Sequence, residues 1–249
     1  AITSTGLDAA RSMEVLQRSA KMSAVGMGET VDIGRTLTAI IRAYGNEGMT
    51  AAKASEIMFK IVKDGAAEAD ELGRSLGRVV GIASTLKISL EDVGTFIATF
   101  TRIGVNTAEA VTAVRALIGN LELKKPGKDA IAALESVGLT FDMLRKNIKE
   151  LGLTAAALDL FGRFKGREGD LQPIIANIRA MAGAMGTYGA QIEAVIAIQK
   201  HMMADTKEME DASIRTGKTG AQMWNEIKAG MEGVFISIGD KIIPARKQM

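Results

Sequence analysis

Cysteine is absent from this 249-residue chain, which excludes disulfides, thiolate metal sites and a cysteine nucleophile while leaving the compartment open. Aromatic residues make up only 4%, although hydrophobic residues reach 47%. The apolar content is therefore mostly Ala, Ile, Leu, Val and Met, small or flexible side chains that suit closely packed helices and offer few large anchors. Three prolines stand against 27 glycines, so glycine supplies the breaks. Neither sign of charge dominates: 31 Lys and Arg face 29 Asp and Glu, a net charge of +2. A protein whose main task is neutralising phosphates needs a concentrated basic excess, so recognition of a specific nucleic-acid sequence is not expected. No run approaches the roughly 18 apolar residues of a membrane span; GVFISIG at 233–239 is far too short. The opening residues, AITSTGLDAARSMEVL, show neither the basic start nor the apolar block of a signal peptide, and both ends read as cut from something longer.

What is present is helical periodicity. Leu90, Val93, Ile97 and Phe100 fall on one face of a helix over 89–103, and Val111, Val114, Leu117, Ile118 and Leu121 do so over 106–121. No sustained period-two alternation occurs, and the spacing predicts an all-α chain. Its helices meet at a recurring three-residue corner, Gly–apolar–cap. In Gly104-Val105-Asn106 the glycine suits the left-handed end of one helix. Asn106 is an N-cap for the next, with Glu109 placed for a capping box and Val105 for a staple against Ala110. Gly138-Leu139-Thr140, Gly152-Leu153-Thr154 and Gly48-Met49-Thr50 repeat the pattern, with Leu144, Leu158 and Ala54 as staple partners, and Ile88-Ser89 repeats it without the glycine. The fold expected is a multi-helical domain of short Gly-capped helices with longer helices towards the C-terminus.

The expected helices are 6–24, 29–44, 50–64, 67–86, 89–103, 106–120, 128–137, 140–150, 154–164, 171–186, 188–213 and 217–240. Pro126-Gly127 in LKKPGKD marks the clearest break. A compact helical core over 1–170 and a longer, more extended segment over 171–249 are the expected divisions. Within the core, 32–62 and 92–118 resemble each other: Ile33-Gly34 aligns with Val93-Gly94, Leu37 with Ile97, Ile40 with Phe100 and Thr50-Ala51 with Thr107-Ala108. An internal duplication of a helix–corner–helix unit and a chance periodicity both fit that likeness.

Few constellations offer chemistry. His201, the one histidine, stands beside Lys200 and Met202-Met203 with no nucleophile or orienting carboxylate in sequence, and reads as a helix residue at a surface or interface. Asp64, Glu68, Asp70 and Glu71 in DGAAEADELG read as a helix N-terminal turn whose charge complements the dipole. FGRFKGREGD at 161–170 interleaves Gly162, Gly166 and Gly169 with Arg163, Lys165 and Arg167. It lacks the P-loop spacing and a preceding strand, and reads as a helix end followed by a basic loop. Trp224, in AQMWNEIKAGMEGVF, suits an amphipathic helix that docks on protein or a membrane surface, with protein the default. The Met-rich stretch 181–231 suits an adaptable interface between helices or ordinary core filling. No catalytic, cofactor-binding or metal-binding residue is assigned.

The order of motifs is similar to the core region of tail tape measure proteins of tailed bacteriophages and related prophages, the group named after a lactococcal phage. The resemblance runs over about 28–245 and rests on Leu72-Gly73, residues 89–92 (SLED), 103–107 (IGVNT), 115–121 (RALIGNL), Pro126, 133–139 (ALESVGL), 160–163 (LFGR) and 238–244 (IGDKIIP). The chain departs from the family pattern in LELKKPG, longer than the usual approach to the proline, and in GRFKGREG, where the family continues as a helix. No catalytic residue carries over. The resemblance implies a structural virion protein that sets tail length during assembly and is released as the genome enters the host. It also implies tail tube protein, tail tip or baseplate hub proteins, tail assembly chaperones, further copies of itself and the host membrane as partners. The places implied are the tail tube lumen or tail tip, and the host cytoplasm during assembly. A helical-repeat adaptor and a membrane-active helical protein, the latter suggested by Trp224 and the apolar segment 231–243, are the alternative readings.

Overall fold

A computed structural model of the chain describes residues 7–123, 125–175 and 188–216. Every regular element among them is helical, and no strand occurs there. In chain order these are α1 (Ala9–Ala24), α2 (Thr30–Tyr44), α3 (Ala51–Gly65), α4 (Ala69–Ser75), α5 (Gly77–Thr85), α6 (Leu90–Arg102), α7 (Thr107–Ile118), α8 (Lys128–Glu135), α9 (Phe141–Leu151), α10 (Leu153–Arg163), α11 (Tyr188–Met203) and α12 (Glu208–Arg215). A π-helical turn, Gly119–Leu123, extends α7.

The corners form for the reasons the sequence gives. Gly104 takes φ +92, a left-handed conformation that costs a Cβ-bearing residue about 1 kcal/mol or more. That turn lets Val105 N–H reach Phe100 O at 3.0 Å and Gly104 N–H reach Thr101 O at 2.9 Å, closing the orphan carbonyls of α6. Asn106 Oδ1 then accepts from Glu109 N at 3.2 Å and opens α7. Gly48 and Gly138 turn in the same sense, and Thr50 and Thr140 cap α3 and α9 by accepting from Lys53 N and Met143 N. Where glycine is missing, Lys87 takes φ +58 itself, and Ser89 Oγ caps α6 through Asp92 N at 3.1 Å.

Three expectations need correction. The helix expected over 67–86 is two, α4 and α5, meeting at Leu76. Leu76 keeps right-handed helical dihedrals, so the apolar period runs through the joint and hides it. The helix expected over 188–213 is also two, α11 and α12, separated by 204–207. At the third corner Thr154 is not the N-cap, because α10 begins at Leu153 directly after Gly152. The expected helix 217–240 and most of 171–186 lie outside the described residues.

The chain divides into two compact units, Ala1–Phe59 with Thr206–Met249, and Lys60–Asp205. In the first, α1 packs on α2 and α12, and Val15, Met22, Ile33, Leu37, Ile40, Tyr44 and Ile57 are buried. In the second, α6 packs against α5, α7, α10 and α11 and is buried nearly all round, including Asp92 and Thr95. Its Val93, Phe96, Ile97 and Phe100 are core residues, each worth roughly 1.5–3 kcal/mol relative to exposure. A helix this enclosed must satisfy its own hydroxyls, and Thr95 and Thr101 donate back to Glu91 O (2.8 Å) and Ile97 O (3.0 Å).

The aligned glycines of 32–62 and 92–118 can be compared directly. Gly34 and Gly94 are each the fifth residue of their helix, α2 and α6. Each sits against a neighbour: a Cβ would lie 3.3 Å from Ser19 Oγ at Gly34, and 3.1 Å from Ile61 Cγ1 at Gly94.

Candidate functional site

Two of the polar side chains buried in this chain, Asp92 and Lys60, close the ends of helices remote in sequence. Asp92, in the first turn of α6, is 4% exposed. Its Oδ1 accepts from Thr154 N at 3.0 Å and its Oδ2 from Leu153 N at 3.3 Å. The carboxylate thus does for α10 what Thr154 was expected to do, and it places negative charge at the positive end of that helix dipole. Ser89 Oγ donates to Oδ2 at 2.8 Å, and Gln199 Nε2 of α11 donates to Oδ1 at 3.2 Å. Gln199 Oε1 in turn accepts from Thr154 Oγ1 at 3.1 Å and shares the one hydrogen of Thr95 Oγ1 with Glu91 O. An ionised carboxylate only accepts, so the amide of Gln199 must present its nitrogen to Asp92 and its oxygen to the two hydroxyls. One carboxylate and one amide thereby join α6, α10 and α11.

The end of α3 does the converse for α11. Lys60, 1% exposed, donates from Nζ to His201 O at 2.9 Å and to Ala204 O at 2.6 Å. A cation on the last carbonyls is the favourable partner for a helix C-terminus. One turn further along α3, Asp64 Oδ2 lies 2.7 Å from His201 Nδ1. The expected cluster of Asp64, Glu68, Asp70 and Glu71 is therefore divided. Asp64 belongs to α3 and to His201. Glu68 is the N-cap of α4, with Asp70 and Glu71 in its first turn, and Glu68 N donates to the buried Thr107 Oγ1 at 2.8 Å. His201 has found the carboxylate that its sequence neighbours lacked, yet what adjoins the pair is the end of a helix held by an ammonium.

In the first unit the same device recurs. Glu56, also on α3, accepts from Thr206 Oγ1 (2.6 Å), Glu208 N (2.8 Å) and Met209 N (3.0 Å), which caps α12. Glu14 on α1 accepts from Ala52 N at 3.2 Å and supplements Thr50 at the start of α3. Glu210 on α12 pairs with Arg18 Nη1 at 2.7 Å and with Lys21. Its carboxyl is held below the usual carboxylate range, first by the hydrogen bond from Lys21, which outweighs the opposing effect of burial, and then by the charges of Lys21 and Arg18.

The basic stretch at 161–170 carries its own counter-charges. Arg163 donates from Nε to both carboxylate oxygens of Asp159, at 3.0 and 3.1 Å, and from Nη1 to Val137 O at 3.2 Å, two residues past the end of α8. Arg167 pairs with Asp170 at 2.8 Å, and Glu168 accepts from Gly166 N. These contacts finish α8 and α10 and leave no convergent cradle for an anion. A groove of about 330 Å³ in the second unit is lined by Arg78, Ala108, Glu109, Thr112 and Ala113, none of which belongs to the His201 cluster. Among the described residues no group of three His, Asp or Glu is placed to hold a metal ion, and no helix is long and apolar enough to cross a membrane. Of the methionines, Met22, Met58, Met202 and Met209 fill core space, whereas Met143 and Met203 are exposed. Trp224, the segment 231–243 and the motif at 238–244 lie outside the described residues.

Comparison with known proteins gives this network of helix ends a family setting. The tape measure protein of Pneumococcus phage Dp-1 is 22% identical over 164 residues, which cover 63% of this chain and 14% of that protein. No solved structure matches the chain. The sequence profile of the phage-related minor tail protein family matches residues 1–178, well over half the chain. The chain belongs to the phage-related minor tail protein family, and its role is that of a structural component of a phage tail.

Proposed function

We propose that the chain is a segment of a tail tape measure protein, a non-enzymatic part that sets tail length during assembly and leaves as the genome is ejected. The observation that carries this reading is the family match, taken with the likeness to a named tape measure protein of which the chain spans 14%. The helical architecture supports it. A tape measure reports length through residue count, and a chain whose regular elements are all α among the described residues has a fixed rise of about 1.5 Å per residue when helices run end to end. The lactococcal-type group is the subfamily we favour, on the motif order given above. In this reading the segment occupies the tail tube lumen or tip and contacts tube and tip or hub proteins, after being held by assembly chaperones in the host cytoplasm.

The test is genetic. In-frame deletion of these 249 residues from the full-length gene should shorten tails, measured by electron microscopy, by about 370 Å if the segment is helical in the particle, at about 1.5 Å per residue. In-frame duplication should lengthen them by the same amount. Tails of unchanged length in both strains would defeat the proposal.

A further inference from the structure

α11 carries apolar side chains on two opposite faces. Val195, Ile198 and Met202 are buried, and the helix packs on α6. On the other side, Ile196 is 50% and Met203 69% exposed, seven residues apart and so on one stripe. Glu193, Ala197 and Lys200 are exposed beside them. Glu193 and Lys200 are also seven apart, about 10 Å along the helix, too far to pair with each other. Neither side chain makes a hydrogen bond or ion pair among the described residues. Two of its large apolar side chains, Ile196 and Met203, therefore stand in water opposite the face that packs on α6.

We infer that the outer face of α11 pairs with the same face of a second copy of this chain, antiparallel, about a two-fold axis between Ile196 and Ala197. The charges decide the occupant and the direction. The midpoint of Glu193 and Lys200 falls between Ile196 and Ala197. Antiparallel pairing about that point sets each Glu193 against the other copy's Lys200 and brings Ile196 onto the small Ala197. Parallel pairing would set Glu193 against Glu193 and Lys200 against Lys200. The face is thus self-complementary in one orientation only, which is the requirement for a closed two-fold contact. The inference does not depend on the tape measure reading. α11 spans only about 24 Å, so the interface is at the small end of specific contacts and the association is weak.

Sedimentation equilibrium of the full chain, taken to hundreds of micromolar at low salt, is the test. The wild type should dimerise reversibly. E193K and K200E each create two like-charge pairs and should weaken the dimer about tenfold or more. The double variant E193K/K200E restores both pairs with their signs exchanged and should dimerise again. An equimolar mixture of the two single variants should form a heterodimer more tightly than either variant pairs with itself. I196D should abolish pairing. All of these positions are exposed, and circular dichroism checks that each variant retains its helices. A wild type that stays monomeric throughout overturns the inference. So does a dimer indifferent to the charge reversals, or a double variant that fails to recover.

Discussion

Replacing Asp92 by Asn tests whether a side chain of α6 ends α10. The substitution keeps shape and volume but exchanges one acceptor oxygen for an NH2 donor. If that NH2 takes the place of Oδ2 it meets Leu153 N–H, and if it takes the place of Oδ1 it meets Thr154 N–H. Ser89 Oγ and the Gln199 amide can reorient, but a backbone N–H cannot, so one buried donor at the start of α10 is orphaned either way. That costs about 1–3 kcal/mol, and loss of negative charge at the helix N-terminus adds about 0.3–1 kcal/mol. The expected total is about 1.5–4 kcal/mol, a Tm decrease of roughly 3–16 °C for a chain of this size. Amide exchange gives the local readout: Leu153 and Thr154 should exchange about tenfold faster or more, since each 1.4 kcal/mol is a factor of ten. Ser89→Ala removes the local cap of α6 and one donor to Asp92 Oδ2, should cost about 1 kcal/mol, and leaves both carboxylate oxygens accepting from Leu153 and Thr154, so those two amides should keep their protection. If D92N unfolds within about 0.5 kcal/mol of wild type, the ordinary scatter of surface changes, or if Leu153 and Thr154 keep their protection, the reasoning fails.

Two glycines should respond in opposite directions to alanine. At Gly65 a Cβ would lie 2.4 Å from Thr101 Oγ1, 2.5 Å from Ala98 Cα and 2.8 Å from Ala98 O; backbone cannot yield, and G65A should destabilise by about 3 kcal/mol or more. At Gly81, inside α5 and with open space where the Cβ would go, G81A should stabilise by up to about 1 kcal/mol, and urea denaturation of the pair reads both signs. Glu210 and Glu122 should oppose each other in pH dependence. Glu210's folded pKa is depressed, so its contribution is present above the unfolded value of about 4.3 and is lost as pH falls through the folded value; E210Q should flatten that acid limb of a stability–pH curve. Burial raises the Glu122 pKa against the opposing charge of Arg145, so its ionisation costs stability once pH rises through the folded value. E122Q should therefore stabilise at neutral pH and have no effect near pH 3.

Elements and corners were legible because their signals are local. A left-handed glycine, a Schellman bond and a cap three residues before its N–H donor are each local in sequence, and Gly48, Gly104 and Gly138 behave as that grammar requires. Lys87 shows that the corner tolerates a strained residue once Ile88 N–H reaches Ala83 O. The Leu76 joint was illegible because nothing in its apolar spacing changes. The break at 204–207 did carry a sign: Asp205-Thr206, cap-type residues between apolar runs, with Glu208, Glu210 and Asp211 in the turn that follows. The remote caps carried none. Asp92 and Thr154 stand 62 residues apart, Glu56 and Glu208 152 apart, and no local pattern says which carboxylate will meet which helix end. Asp92 in sequence is only the fourth letter of SLED, an acidic residue in a first turn.

That division has a mechanical consequence. Helices of 7 to 16 residues are at or below the length at which a helix in water is marginal alone, so those of this chain persist because they pack and because other helices close their ends. The closures are polar: Asp92, Lys60, Glu56 and Glu14 each hold backbone groups that water can also hold. Separating two such helices therefore exposes no irreplaceable polar bond, and the resistance to separation comes mainly from apolar contact around helices such as α6. A tail component that runs along a tube and leaves it at ejection, as proposed for this one, is suited by contacts of that kind. The left-handed glycines are positions where straightening carries no Cβ penalty, while the caps ensure that the packed arrangement, when it forms, has one register.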